Sequence, residues 1–242
     1  MKKIISTLFI VLGLILIVSP FINDILIKNK ISSTNTLVQE ITAEQIEENT
    51  QAMEDPKEEE GQDEVLFNYD AIEDVQITTT LSEVIRFKKE DINKNIIGQI
   101  IIDDLNIDLP ILKGVTNSNL LIGAGTMKSG LVMGEGNYSL AGHYMKDGLL
   151  FGNLLDIQKG TKVKVTNKLV VYEYEIYDTQ IVPDTSFYML GEDRAIKRGK
   201  PIISLMTCYF TSKNGKRFFA LGELVAQYPY DDNLIVNWLG KE

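Results

Sequence analysis

The chain has 242 residues, a formal net charge of −10 and 44% hydrophobic residues. This length allows one domain of modest size besides an anchor, and the apolar content is sufficient for a core. The acidic balance argues against a nucleic-acid partner, because binding to phosphates needs clustered Lys and Arg side chains that replace counterions.

The N-terminal segment predicts a membrane anchor. Residues 4–22 carry no charge and directly follow Lys2 and Lys3, and about twenty apolar residues are enough to span the bilayer core. Lysines before the run favour a cytoplasmic N-terminus and an external C-terminus. A cleaved signal peptide is the alternative, but the apolar run is long for one and no Ala-x-Ala-like site follows. We expect a cytoplasmic tip at residues 1–3 and an uncleaved anchor at residues 4–27.

An acidic stretch follows the predicted anchor. Between Glu40 and Glu64, carboxylates dominate and apolar residues are few. Such a segment buries too little surface to offset its chain entropy, so it should stay extended or only partly helical. We therefore expect residues 28–75 to form an extracellular spacer that holds the following domain away from the membrane.

Short segments of β character begin near residue 76. Alternating or apolar runs predict strands at residues 98–102, 107–112, 162–165, 170–177, 202–208 and 217–227. The predicted helical pieces are short, at residues 81–89, 117–122 and 149–156. Many evenly spaced strands with few helices indicate a closed barrel or a sandwich over residues 76–230. Apolar residues at helical spacing predict a short C-terminal helix within residues 231–242.

The candidate chemistry rests on three residues, His143, Cys208 and Arg217. His143 is the only histidine and Cys208 the only cysteine of the chain, although an extracellular protein usually pairs its cysteines or avoids them. A thiol, an imidazole and a guanidinium together supply a nucleophile, a proton-transfer group and an oxyanion partner. Each residue alone is weak evidence, because a lone Cys on a strand is more often a small buried hydrophobe.

The strings around these residues resemble the signature of sortases. The strings are Leu140-Ala141-Gly142-His143, Leu205-Met206-Thr207-Cys208 and an Arg217 that heads a strand, in the family's order of His, Cys and Arg. The similarity runs from roughly residue 96 to residue 225. The strings at residues 123–127 and 136–143, and an N-terminal anchor without a C-terminal membrane helix, are similar to class A, the housekeeping type. Two positions depart from the family: Asp103 stands where Pro is frequent, and Ser204 where Thr is usual.

The resemblance implies an all-β fold, an eight-stranded sortase-type β-barrel with a few short helices, behind one N-terminal transmembrane helix. It implies a cysteine transpeptidase whose substrates are secreted proteins with a C-terminal LPXTG-type sorting signal. The acyl group would pass to an amine of a lipid-linked peptidoglycan precursor. Cys208 would be the nucleophile, His143 the general acid/base, and Arg217 the oxyanion and substrate-orienting group.

The resemblance also implies a substrate groove and raises the question of a metal. Ala141, Met206 and Thr207 flank the catalytic residues and would line the groove for the Leu-Pro part of the signal. Some class A sortases bind Ca²⁺ through loop carboxylates, for which Glu135, Glu192 and Asp193 are the candidates here. Scattered carboxylates are weak evidence for a site that needs several converging oxygens. We therefore expect no cofactor and no metal ligand.

Two other functions remain open at this point. A cysteine peptidase would use the same three residues and pass the acyl group to water. A membrane-anchored β-domain that only binds or braces the wall would keep Cys208 buried and inert. Product analysis with an amine present separates the first from a transpeptidase, and thiol labelling of the folded protein separates the second from both enzymes.

Overall fold

The structure, a computed structural model, describes residues 89–231 without a gap, residues 25–26 and 28–51, and Gly13. The expected anchor at residues 4–27 lies almost entirely outside this part of the chain. So do the predicted C-terminal helix, apart from residue 231, and the helical piece predicted at residues 81–89, apart from Lys89. Within the described residues, no helix is long and apolar enough to cross a membrane.

Eight strands close into a barrel in the order β1-β2-β3-β4-β7-β8-β6-β5. The strands are β1 (Ile96–Ile102), β2 (Ile107–Leu112), β3 (Ala124–Thr126), β4 (Asn137–Ala141), β5 (Lys162–Thr166), β6 (Val170–Pro183), β7 (Ile202–Cys208) and β8 (Lys216–Pro229). The β2–β3 and β4–β7 pairs are parallel, and the other neighbouring pairs are antiparallel. The eight-stranded barrel implied by the resemblance is confirmed, and the sandwich alternative is wrong.

The helices are short and lie between strands or before them. They are α1 (Ala43–Gln51), α2 (Lys89–Asn93), α3 (Asn117–Leu120) and α4 (Asp193–Arg198), with 3-10 turns at Asp103–Leu105, Gly152–Asp156, Phe187–Leu190 and Ser212–Asn214. Residues 28–40 are helical as well. The predicted helix at residues 117–122 is found as α3, which begins where the Thr116 hydroxyl accepts a hydrogen bond from the Asn119 N–H. The helix predicted at residues 149–156 is a 3-10 turn instead.

Strand β7 and the first half of β8 are apolar on both faces, and this divides the core into two clusters. Leu205 of β7 and Ala220 of β8 point into the barrel and belong to the larger, interior cluster. Met206 and Phe219 alternate with them and belong to a second cluster on the outer face of the sheet. Every residue of β7 is buried, which is why this strand reads as an almost continuous apolar run.

The first part of the acidic stretch packs on the barrel. Ile31, Leu37, Val38, Ile41 and Ile46 are buried and join the interior cluster. We call residues 28–40 and α1 the N-terminal helices. The expectation that this segment is a solvated spacer is wrong for residues 28–51. Its carboxylates occupy the exposed faces of the helices, so a low average hydrophobicity conceals an apolar stripe at helical spacing.

Polar contacts also hold the N-terminal helices in place. The side-chain amide of Asn49 donates to the backbone carbonyls of Asn93 and Ile96, at 2.7 Å in each case. Lys168, in the turn between β5 and β6, donates from Nζ to the carbonyls of Gln39 and Ile41 at 2.9 and 2.8 Å. These bonds satisfy backbone acceptors at element ends, which helices and strands leave without partners of their own.

Candidate active site

His143 and Cys208 lie at the carboxyl ends of two neighbouring parallel strands: Cys208 is the last residue of β7, and His143 comes two residues after the end of β4. Ala141, the last residue of β4, is paired with Met206 of β7. His143 and Cys208 each come two residues after that pair. The Gly142 N–H donates to the Met206 carbonyl at 3.0 Å, so the pairing continues past the end of β4. Because the two chains run in the same direction and in register, His143 and Cys208 reach the same edge of the sheet.

Cys208 and Arg217 are paired across the other side of β7. Cys208 ends β7, and its partner on the antiparallel β8 is Arg217. Residues directly opposite in such a pair have Cβ atoms about 4.5–5.5 Å apart on the same face of the sheet. A bond from the Tyr209 N–H to the Lys216 carbonyl, at 3.2 Å, continues the pairing beyond Cys208. The side chains of Cys208 and Arg217 therefore project side by side from the same face of the sheet.

The three side chains are buried, and those of Cys208 and Arg217 lie on the outer face of the barrel. His143, Cys208 and Arg217 are each 3% exposed, and Cys208 belongs to the second apolar cluster. Burial of the thiol alone would also suit a non-catalytic domain. A guanidinium is rarely buried, however, because it loses its hydration. A buried Arg directly opposite a buried Cys at the end of a strand is an arrangement that chemistry explains better than packing.

The loop after β4 fixes the position of His143. The His143 carbonyl accepts a hydrogen bond from the Phe151 N–H at 3.1 Å, and Tyr144 pairs with Leu150 in an isolated bridge. The Phe151 ring lies against Gly142, where a Cβ would come within 2.6 Å of a ring carbon. Packing therefore demands glycine immediately before the histidine, and the Ala-Gly-His string has a structural reason.

Two of the three predicted groove residues share the face of Cys208. Ala141 and Met206 are fully buried members of the second cluster. Thr207 lies between Met206 and Cys208 and is paired with Phe218, whose side chain belongs to the interior cluster. Successive side chains of a strand point to opposite faces. The Thr207 side chain consequently points into the barrel, and its expected place in the groove lining is wrong.

The segment between β6 and β7 covers the outer face beside the site. The Asn137 side-chain amide donates to the carbonyls of Met189 and Gly191 at 3.0 Å each. Its Oδ1 accepts a 2.7 Å bond from the Ser204 hydroxyl. Asn137 thus ties β4, β7 and the covering segment together through buried bonds. Ser204, one of the departures from the family pattern, has a defined role in this network.

The carboxylates considered for calcium do not converge. Glu192 Oε1 lies 2.6 Å from Lys128 Nζ, and Glu192 Oε2 accepts a 2.8 Å bond from the Asn137 N–H. Among the described residues, no three or more His, Cys, Asp or Glu side chains are grouped so that they could hold a metal ion. Lys128 neutralises Glu192, and this pair links the segment after β3 to the segment before β7.

An aromatic group beside the site was not predicted from the sequence. The Phe210 ring lies edge-on to the Tyr144 ring, with centroids 5.8 Å apart, and 4.6 Å from the Tyr209 ring. Tyr144 directly follows His143, and Tyr209 directly follows Cys208. The sequence signal that could have predicted this group is the tyrosine that directly follows both His143 and Cys208.

Comparison with known proteins identifies the family. A family model described as Sortase domain matches residues 100–225. The chain belongs to the sortase family. It is 30% identical over 225 residues to sortase A of Listeria monocytogenes serovar 1/2a, which covers 93% of this chain and 91% of that protein. It is 40% identical over 134 residues to sortase A of Bacillus anthracis, covering 54% of this chain and 61% of that one.

Solved structures of sortases have the same fold. The crystal structure of Listeria monocytogenes sortase A matches with a TM-score of 0.55 at 32% identity, covering 61% of this chain and 99% of that one. Sortase C-3 of Streptococcus pneumoniae matches with a TM-score of 0.59 over 86% of this chain and 96% of that one, at 20% identity, which is an agreement of fold. The resemblance to class A sortases is confirmed, and this sortase is a cysteine transpeptidase.

Proposed function

We propose that this sortase cleaves an LPXTG-type sorting signal through a thioacyl intermediate on Cys208 and passes the acyl group to an amine of a cell-wall precursor. The observation that carries the proposal is the position of Cys208. It is paired with Arg217 on one side and reaches the same sheet edge as His143 on the other. One residue is thereby flanked by a proton-transfer group and by a permanent cation.

Cys208 and His143 carry out the bond-making steps. A thiol with an ordinary pKa of about 8.5 is mostly protonated at neutral pH, so a neighbouring base or cation must increase its reactive fraction. The Cys208 thiol gives its proton to His143, and the sulfur attacks the carbonyl carbon of the signal's Thr, forming a C–S bond. As the C–N bond to the following residue breaks, His143 gives a proton to the departing amine. The product of this half is a thioester on Cys208.

Arg217 stabilises the charge that develops on the carbonyl oxygen. The tetrahedral intermediate carries an oxyanion, and donors that are already in place before the reaction stabilise it most effectively. A guanidinium has several N–H donors in a fixed plane and stays charged at every relevant pH. Arg217 can therefore bind the oxyanion and still orient a neighbouring carbonyl of the peptide.

Ala141 and Met206 form the floor on which the Leu-Pro part of the signal lies. Both are on the face of Cys208, two residues before the catalytic pair on their strands. Their side chains are small or unbranched, so they present an apolar surface close to the backbone. Displacement of the segment between β6 and β7, which covers this face, would open the floor to a peptide.

The substrates and the acceptor determine where the enzyme works. Secreted proteins and lipid-linked peptidoglycan precursors meet at the outer surface of the cell membrane. An N-terminal anchor with the catalytic domain outside would bring the enzyme to both. Because the N-terminal helices directly follow the anchor and pack on the barrel, the anchor would hold the barrel close to the lipid. We expect no nucleic-acid partner.

The test is product analysis with the full chain in detergent micelles. The enzyme is incubated with an LPXTG peptide library, with and without candidate wall amines, and the products are identified by mass spectrometry. We expect cleavage after Thr and an amide product that grows with amine concentration. Only the free acid at every amine concentration would favour a hydrolytic peptidase. No cleavage, together with a Cys208 that resists thiol labelling, would favour a wall-binding domain.

A further inference from the structure

Three aromatic side chains lie beside the catalytic pair and have no part in the mechanism above. We call Tyr144, Tyr209 and Phe210 the aromatic cluster. Phe210 contacts both tyrosine rings, and the tyrosines follow His143 and Cys208 directly along the chain. The aromatic cluster therefore joins the segment that leaves the histidine to the segment that leaves the cysteine.

Phe210 combines a strained backbone with an exposed ring. Its φ is 63°, in the left-handed region that bulky L-residues rarely occupy. The residue is 54% exposed, so burial in the core does not offset the strain. Tyr144 and Tyr209 are partly buried against the outer and the interior cluster respectively. Strain that the core does not require, two residues after the proposed nucleophile, indicates a role in function.

The turn that carries Phe210 is held by hydrogen bonds at its base. The Asn214 side-chain amide donates to the Tyr209 carbonyl at 2.6 Å. The Tyr209 N–H donates to the Lys216 carbonyl at 3.2 Å. Because Tyr209 is held on both its N–H and its carbonyl side, the Phe210 ring has a defined position against Tyr144 rather than a freely changing one.

We infer that Phe210 determines how the thioester on Cys208 is divided between an amine and water. The inference deepens the proposed function, because it concerns the second half of the transfer. There, the nitrogen lone pair of a neutral amine forms a C–N bond with the thioester carbon. The C–S bond breaks, and the proton lost by the nitrogen is taken up by the sulfur through His143. Water follows the same course and yields a carboxylic acid.

An apolar ring beside the thioester affects the two nucleophiles differently. Water next to an aromatic face loses hydrogen bonds, so the ring lowers the number of ordered water molecules that can attack. An amine at the end of a flexible chain brings carbon atoms that lie along the ring. The Phe210 ring therefore disfavours hydrolysis and leaves transfer open.

The test measures the partition of an acyl-enzyme made without a recognition peptide. Full-length enzyme is acylated with p-nitrophenyl acetate, and the acetyl group is released in the presence of triglycine. For Phe210→Gly, which removes the ring and suits a positive φ, we expect the ratio of acetyl-triglycine to acetate to fall by about fivefold or more. The initial burst of p-nitrophenol, which reports acylation, should stay within about twofold of wild type.

Matched variants separate the ring from the fold. Phe210→Tyr keeps the ring and should keep the wild-type partition, whereas Tyr144→Leu removes a support of the ring and should shift the partition toward acetate. Leu169→Ala truncates a residue of similar exposure, 52%, in the turn between β5 and β6, and should leave both the partition and the burst unchanged.

An unchanged ratio of acetyl-triglycine to acetate in Phe210→Gly and Tyr144→Leu would overturn the inference. So would a p-nitrophenol burst that falls as much as the acetyl-triglycine yield while this ratio stays constant, because the ring would then act on acylation. If LPXTG peptides failed to acylate the wild-type enzyme, only the proposed substrate would be wrong, because p-nitrophenyl acetate acylates Cys208 without a sorting signal. No acetyl adduct on Cys208 would overturn both.

Discussion

Arg217 lies directly opposite Cys208 in the β7–β8 pair. On its other side, Arg217 is paired with Val182 of β6, so Arg217 belongs to a strand that lies between β7 and β6. Lys216, its predecessor, is exposed. Neighbouring residues of β8 thus carry one buried and one solvated cation, and this difference allows the role of Arg217 to be tested against an internal control.

Arg217→Lys should lower turnover by about 10²–10³, because losing one well-placed oxyanion donor typically costs that much. Lys keeps the positive charge but loses the planar set of donors that can hold an oxyanion and a peptide carbonyl at once. The measurement is the initial rate on a fluorogenic sorting peptide, and Lys216→Ala should be close to wild type. If Lys216→Ala lost most of its activity while Arg217→Lys stayed close to wild type, the assignment of the oxyanion role to Arg217 would be wrong.

Leu37→Ala should destabilise the protein by about 2–5 kcal/mol, the usual range for deleting a buried leucine side chain. Leu37 is 6% exposed against the barrel, although it belongs to a segment with an acidic, spacer-like composition. The measurement is chemical unfolding, with the exposed Gln39→Ala as control and an expected change within about 0.5 kcal/mol. Equal stabilities of the two variants would mean that the N-terminal helices do not contribute to the fold.

The packing of the N-terminal helices on the barrel should also determine the thermal stability of soluble fragments. A fragment of residues 28–242 should melt at a higher temperature than one of residues 65–242, because the shorter fragment exposes the apolar surface that the N-terminal helices cover. Thermal melts of the two fragments, both assayed with a sorting peptide, make the comparison. Identical melting temperatures would mean that the N-terminal helices do not stabilise the barrel, as expected if residues 28–75 were only a spacer.

The elements that could be predicted are those whose signal is local. Strand β7 was predicted at its observed bounds, since a buried strand is a short apolar run between turn residues. The N-terminal helices could not be recognised from composition, because one apolar stripe is averaged with many carboxylates. Asn137 and Ser204 were not predicted to form a network either, since their partners at residues 189–191 are distant in sequence. Thr207 was misplaced because strand alternation was not applied within its string.

Asn137→Ala should lower the free energy of unfolding by about 1–3 kcal/mol, since it leaves buried carbonyl groups without their donor. It should also raise KM for a sorting peptide, because the segment at residues 189–191 that it holds covers the face of Met206 and Ala141. Ser204→Ala removes only the 2.7 Å bond to Asn137 and should have the smaller effect on both quantities. Larger effects in Ser204→Ala would show that Asn137 does not organise this face.

Asp108→Asn should stabilise the protein at neutral pH. Burial raises the pKa of Asp108, and the nearby Asp103 carboxylate adds to this, while a hydrogen bond from Gln99 acts in the opposite direction. A carboxyl group whose pKa is raised by folding contributes stability below its unfolded pKa, and this is lost as the pH rises through the folded pKa. Asn keeps an acceptor for the 2.6 Å bond from Gln99 and has no charge to desolvate.

The measurement is the free energy of unfolding between pH 4 and pH 7, for wild type, Asp108→Asn and the exposed control Asp104→Asn. The gain from Asp108→Asn should be largest at pH 7 and should shrink as the pH approaches 4. A gain that is independent of pH, or one that Asp104→Asn reproduces, would exclude the buried charge of Asp108 as its cause.

Intact-protein mass spectrometry with peptide mapping tests the central claim most directly. Full-length enzyme is mixed with an LPXTG peptide, quenched in acid within the first turnover, digested and sequenced. The predicted result is a mass increase equal to the peptide up to its Thr, located on Cys208, removed by added amine with formation of the amide, and missing in Cys208→Ala. An adduct on another residue, or turnover retained by Cys208→Ala, would contradict the account.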